Sequence, residues 1–234
     1  RRTLVQAMAE VREVGDLRQE GYMFLSFGRI HADCDELEAA GTRAHEGLAL
    51  LRQTEDQIGV GFGLRDLGDL ALRVGNCSVA EEQLREAVAC VAGRNAPLWA
   101  ESLAALGEAL AARDPIEGAR HLDEAIAAAR AGGWHHVLAS NLCRRARALG
   151  DDRSFREAEA MAVGEGEGSR LRRDLHRTRT VLEGGSTDGH LSGEPGTGYG
   201  AILAGGGVND DDVGRLASHL SGNVKLLRLG AGGR

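Results

Sequence analysis

The chain has 234 residues, of which 42% are hydrophobic and only 3% aromatic, and it carries a formal net charge of -7 at neutral pH. This length allows one or two domains with an adequate core, and so few aromatics mean a core of Ala, Leu and Val, which suits closely packed helices better than a sandwich or a barrel. The acidic balance argues against a general phosphate-binding surface, and so against nucleic acid as a partner.

In chain order, the first segment already belongs to a pattern. Ala7-Met8-Ala9 superposes on Gly47-Leu48-Ala49 after a shift of about 40 residues, and Asp16 superposes on Asp56. The chain is therefore expected to begin on the second helix of an earlier hairpin, as a fragment of a longer protein; a processed start is the alternative. The first twenty residues lack the continuous apolar core of an export signal.

Three full copies follow, anchored on Gly28, Gly68 and Gly107. An apolar residue precedes each glycine (Phe27, Leu67, Leu106), and a bulky one stands four residues before it (Phe24, Leu64, Leu103), which marks one face of a helix. Further on, a small residue (Ala40, Ala80, Gly118) opens a second run that continues at helical steps through Ala44, Leu84 or Leu122 to Gly47, Ala87 or Ala125. Small residues on the facing sides let two helices approach closely, so each copy reads as a helical hairpin. A fourth, degenerate copy has Leu142, Ala146 and Leu149 in its first helix and Phe155, Ala158 and Ala162 in its second, with Arg145 where the others carry an apolar residue.

The middle copy, Leu67-Gly68-Asp69-Leu70-Ala71 through Gly75, Ala80, Leu84 and Ala87, resembles the tetratricopeptide repeat. That repeat has about 34 residues, so copies spaced by about 40 are elongated, as in the bacterial regulators and signalling ATPases they look like. The resemblance implies an all-α fold, a right-handed superhelical solenoid of helical hairpins over residues 1–163. It also implies a concave face lined by first-helix residues. The family's inner-face positions fall on Tyr22, Leu25 and Arg29 in the first copy and on Phe62, Arg65, Asp69 and Arg73 in the second. They continue on Glu101, Ala104 and Glu108 in the third and on Arg147 in the fourth. With no Lys at these positions, capture of a peptide's terminal carboxylate by Lys and Asn is disfavoured. A helix or extended peptide of mixed charge, contacted by arginine forks, is expected instead.

Residues 164–200 read as a basic helix and a linker. Gly164 to Gly168 (Gly-Glu-Gly-Glu-Gly) ends the array, because such a run cannot continue a helix without heavy entropic cost. From Ser169 to Leu182, five arginines crowd a short amphipathic stretch containing Leu171, Leu175 and Val181. It reads either as a docking helix for acidic protein or RNA, or as a helix capping the end of the solenoid, and the cap is favoured. Gly184 to Gly200 is a flexible linker, and its Gly196-Thr197-Gly198-Tyr199-Gly200 lacks the strand and helix that a phosphate loop requires. Residues 201–234 form a small Gly-rich segment. Leu216-Ala217, Leu220, Asn223, Leu226 and Leu229 resemble one leucine-rich repeat of the ribonuclease-inhibitor type, although Gly206 stands where its first strand needs Asn; the alternative is a tail with one incidental helix.

No catalytic, cofactor or metal site is expected. His135 and His136 are adjacent, so their side chains diverge by about 100° around a helix, and Asp210-Asp211-Asp212 reads as a helix N-terminus. Cys34, Cys77, Cys90 and Cys143 lack the paired spacing of a zinc site and read as reduced thiols. No apolar run approaches the roughly 18 residues that span a bilayer, so a cytoplasmic protein follows. The functional expectation is a non-catalytic scaffold that binds a protein or peptide in its concave groove, within a larger signalling protein. The alternative is an effector-sensing module of a transcriptional regulator or signalling ATPase.

Overall fold

The computed structural model describes residues 4–163 and 169–184, and every element among them is an α-helix. They are α1 (Leu4–Val14), α2 (Leu17–Asp33), α3 (Leu37–Gln53), α4 (Gln57–Arg73), α5 (Cys77–Val91), α6 (Ala96–Ala111), α7 (Pro115–Ala131), α8 (His135–Leu149), α9 (Asp152–Met161) and α10 (Arg170–Leu182). The glycine run 164–168, the linker beyond 184, its Gly-Thr-Gly-Tyr-Gly motif and the leucine-rich-repeat-like segment lie outside the described residues. No helix among the described residues is long and apolar enough to cross a membrane.

Helix boundaries follow local chemistry. Asp16, Asp56, Asn76, Asn95, Asp114, Asp151 and Ser169 each accept a backbone N–H of the first turn they precede, satisfying a donor that the helix itself leaves open. Several of the preceding helices stop where the backbone turns left-handed. Gly15 and Gly75 do this at φ 76°, and the equivalent turns use Asp35 at 65° and Glu55 at 53°, conformations that cost an ordinary side chain more than glycine.

Each hairpin pairs consecutive helices: α2 with α3, α4 with α5, α6 with α7 and α8 with α9. Within a hairpin the seam is as small as the sequence predicts. Ala40, Ala80, Ala87 and Ala125 are fully buried, and an added Cβ at Gly47 would stand 2.7 Å from the Gly21 carbonyl oxygen. At Gly118 it would stand 2.7 Å from Ala111 Cα. The degenerate fourth copy folds in the same way, with Ala146, Ala158 and Ala162 buried and Arg145 turned to Asp151 and Asp123.

Hairpins then stack. Each second helix packs on the next first helix (α3 on α4, α5 on α6, α7 on α8), and the first helices also touch in series from α2 through α4 and α6 to α8. Leu25, Leu48, Leu51, Val60, Leu64 and Leu67 fill the first junction. Ala71, Leu84, Leu106 and Leu110 fill the second. Helix α1 packs on α2 as a preceding second helix should, with Ala7 and Met8 buried. At the other end α10 packs on α8 and α9 through Leu171 and Leu175, in the position of a cap.

Candidate functional site

The first helices carry the residues for which the resemblance implied a groove. Relative to the reference glycine, Arg29, Asp69, Glu108 and Arg147 occupy one repeated position, immediately after Gly28, Gly68, Gly107 and Ala146. Glu108 and Arg147 pair with each other, and Asp69 pairs with Arg144, one turn before Arg147.

Arg144 on α8 is the centre of the arrangement. Its Nη2 donates to Asp69 Oδ1 on α4 and its Nη1 to Glu108 Oε2 on α6, both at 2.7 Å. Arg147, one turn on, donates from Nε to Glu108 Oε1 at 2.8 Å and from Nη1 to Thr178 Oγ1 of α10 at 3.1 Å. A second group lies nearer α2. Arg65 is only 2% exposed, and its guanidinium reaches Glu101 and, at 2.7 Å, Asp66 Oδ1. Arg73 ties α4 back to the end of α2, donating to the Ala32 carbonyl at 2.6 Å and pairing with Asp35.

Burial alone would raise the carboxyl pKa of Asp69, but Arg144, Arg65 and Arg170 overcome it and hold the group below its ordinary value. Glu108 is likewise opposed by burial and depressed by Arg147 and Arg144. Burial works against the charge on Arg65 and Arg144 too, and their carboxylates outweigh it, so both guanidinium groups are held charged more firmly than in water. Groups locked in their ionised forms do not exchange protons near neutrality, so this array suits binding and cohesion rather than acid–base chemistry.

The eleven positions implied by the family resemblance thus separate by environment. Leu25 and Ala104 are 2% and 0% exposed and belong to apolar clusters, so they line no groove; three residues before the reference glycine, the chain faces the neighbouring helix instead of solvent. Arg65, Asp69, Arg73, Glu101, Glu108 and Arg147 are engaged with the protein itself. Tyr22, Phe62 and Arg29 remain. Tyr22 and Phe62 meet edge to face with centroids 6.4 Å apart, both partly buried, and the Tyr22 hydroxyl donates to Asp56 Oδ2 at 2.8 Å. The Arg29 side chain is 45% exposed, its Nε standing 4.0 Å from Asp66 Oδ2, beyond hydrogen-bond reach.

Arg144 and Asp66 went unnoticed in the sequence. The signal that points to Arg144 is the sign pattern at the repeated position: positive at Arg29, negative at Asp69 and Glu108, positive at Arg147, with a second arginine three residues before the last. Opposite charges at equivalent repeat positions mark contact between neighbouring repeats.

Two other features were candidates. An open cleft of about 330 Å³ lies at the edge of the array, lined by Arg18, Thr54, Glu55, Asp56, Gln57, Ile58 and Arg94. Among the described residues no group of three or more His, Cys, Asp or Glu side chains is placed to hold a metal ion, and His135 and His136 are both exposed. Burial pushes the Cys143 thiol up to about 11, in keeping with an inert packed side chain.

No family model and no curated protein matches this chain.

Proposed function

We propose that this chain is a non-catalytic protein-interaction scaffold of the tetratricopeptide type, wound as a right-handed superhelix within a larger signalling protein. It holds a peptide or helix of a partner protein against the inner face of its first helices. The observation that carries this reading is the partly buried Tyr22–Phe62 pair and, two turns further along α2, the half-exposed guanidinium of Arg29, on a row whose other charges are paired internally. Aromatic and arginine side chains anchor interfaces because they bury much area and make directional contacts at modest entropic cost.

The effector-sensing reading calls for an enclosed pocket with several unpaired polar groups. The cleft beside Arg18 and Arg94 is open and shallow, and Asp56 within it is already engaged by Arg18 and Tyr22. The scaffold reading is therefore preferred.

The test is photo-crosslinking with the whole chain in native extract. A crosslinker replacing Ser26, one turn from Arg29, should capture a partner that one replacing Ile116, 85% exposed on α7, does not. Adding Arg29→Glu should abolish that capture. Equal capture from both positions, or capture indifferent to Arg29, would sink the proposal.

A further inference from the structure

Helix α10 faces two parts of the array at once. Leu171, Leu175 and Thr178 form one stripe, buried against α8 and α9. Arg170, Arg173 and Arg177 form another, on roughly the opposite side at about 100° per residue. That second stripe reaches the first full hairpin. Arg173 Nη2 donates to Asp33 Oδ2 at 2.7 Å, at the last residue of α2 and 140 positions earlier in the chain. The positive charge of Arg170 acts on Asp69 of α4, and that of Arg177 on Arg73 at the end of the same helix. From the first stripe, the Thr178 hydroxyl accepts from Arg147 of α8. One helix therefore bridges the inner face from α8 to α2.

The place it reaches is acidic by construction. The C-terminus of a helix carries partial negative charge, and α2 adds Asp33 and Asp35 to it. Arg73 of α4 answers them there, through Asp35 and the Ala32 carbonyl.

We propose that α10 is a resident occupant of the groove, and that the partner the groove accepts is an amphipathic helix of the same mixed charge, whose arginines displace the arginine stripe of α10 from Asp33 and whose acidic side chain meets Arg29. This rests on the scaffold reading and names its partner class. The clasp is suited to displacement. The Arg173 and Asp33 side chains are 27% and 37% exposed, and such a pair shifts an equilibrium by roughly fivefold at most.

The test uses the full 234-residue chain and an isotope- and dye-labelled synthetic peptide of residues 169–184. Fluorescence anisotropy is read for the wild type, for Arg173→Glu and for Arg173→Glu with Asp33→Arg. The peptide should bind Arg173→Glu about three- to fivefold more tightly than the wild type, and the added Asp33→Arg should remove that gain. Equal binding to all three chains, or to none, overturns the proposal. Hydrogen exchange on the wild type does not depend on the variants folding: saturating peptide should speed exchange across residues 170–182, and unchanged exchange overturns the proposal. A companion peptide with its three stripe arginines changed to Glu separates the two readings. Arg29-dependent binding of that acidic peptide alone keeps the groove and sinks the arginine-bearing partner. Failure of both peptides, together with no capture at Ser26, sinks the groove as well.

Discussion

The seam inside each hairpin and the row of charges between hairpins hold the same array together by different means. Inside a hairpin the contact is set by size: Gly21 against Gly47, Gly28 against Ala40 and Ala44, Gly107 against Gly118 and Leu122. Between hairpins, along the inner face, it is set by sign: Asp69 and Glu108 against Arg144, and Glu108 against Arg147. Every hairpin faces the same close-approach problem, so the size code repeats. The charge code does not repeat: Asp69 and Glu108 carry the same sign on neighbouring first helices, and the arginines of α8 answer them.

The sharpest way to break this comparison is to remove Arg144, which joins α8 to both α4 and α6. Arg144→Ala leaves Asp69 and Glu108 without their shared partner in a largely buried setting, and should cost about 3–5 kcal/mol in urea unfolding. Arg144→Met with Asp69→Asn and Glu108→Gln removes the charges together and should recover most of that loss, because the penalty comes from stranded carboxylates. A small loss for Arg144→Ala alone would mean that water solvates these carboxylates and that the row contributes little cohesion.

The size code breaks by overfilling. Gly118→Val places atoms against the Ala111 backbone, where a Cβ would already stand 2.7 Å away, and should cost about 1–3 kcal/mol despite the better helix propensity of the new residue. Gly41 lies in α3 with nothing within 4 Å of its would-be Cβ. Gly41→Ala should therefore stabilise by about 0.5–1 kcal/mol. Destabilisation at both sites would show that glycine is needed for backbone freedom rather than for close approach.

This difference governs how much the sequence could reveal. Gly28, Gly68 and Gly107 with Ala40, Ala80 and Gly118 recur in register, so the hairpins and the first helix are legible from the residues alone. The degenerate copy is legible as well, because Ala146, Ala158 and Ala162 keep the small pattern although Arg145 departs from it. For the charged first-helix residues, the environment was not legible from their positions. Arg65 reads as an open-groove arginine until stacking sets Glu101 beside it, and Leu25 and Ala104 read as lining until the neighbouring first helix covers them. Those facts depend on the rotation of each helix about its axis and on which helix comes next, which a single repeat does not encode. The bridge from Arg173 to Asp33 depends on how the array bends as a whole, and no local pattern announces it.

The charged row also makes the protein sensitive to acid. Asp69 and Glu108 titrate below their ordinary values of 3.8 and 4.5 in the folded chain, while the unfolded chain holds them at those values. Between the two sets of values the unfolded state binds more protons, so the stabilisation is fully present above about pH 5 and is lost as pH falls through the folded values. Urea midpoints should fall on acidification from pH 5 to pH 3. The fall should be shallower in Asp69→Asn with Glu108→Gln, though not absent, because Asp56 and Asp151 are also depressed. An unchanged slope would place the acid sensitivity at those capping residues instead.

The smallest structural effect is the most informative about function. Arg29 shares its repeat position with Asp69, Glu108 and Arg147, yet its nearest polar contacts are Ser26 Oγ at 3.5 Å and Asp66 Oδ2 at 4.0 Å. Its counterpart on the next helix, Asp69, is already taken by Arg144. Arg29→Ala should therefore leave stability within about 0.5 kcal/mol of the wild type, as for a surface residue without a specific tie. If the row serves cohesion alone, binding will be as indifferent as stability. If its open end receives a partner, Arg29→Ala should weaken that partner roughly tenfold, the size of one charge-assisted contact, with an unchanged urea midpoint. A loss of stability larger than the loss of binding would assign Arg29 to the same self-pairing as the rest of the row.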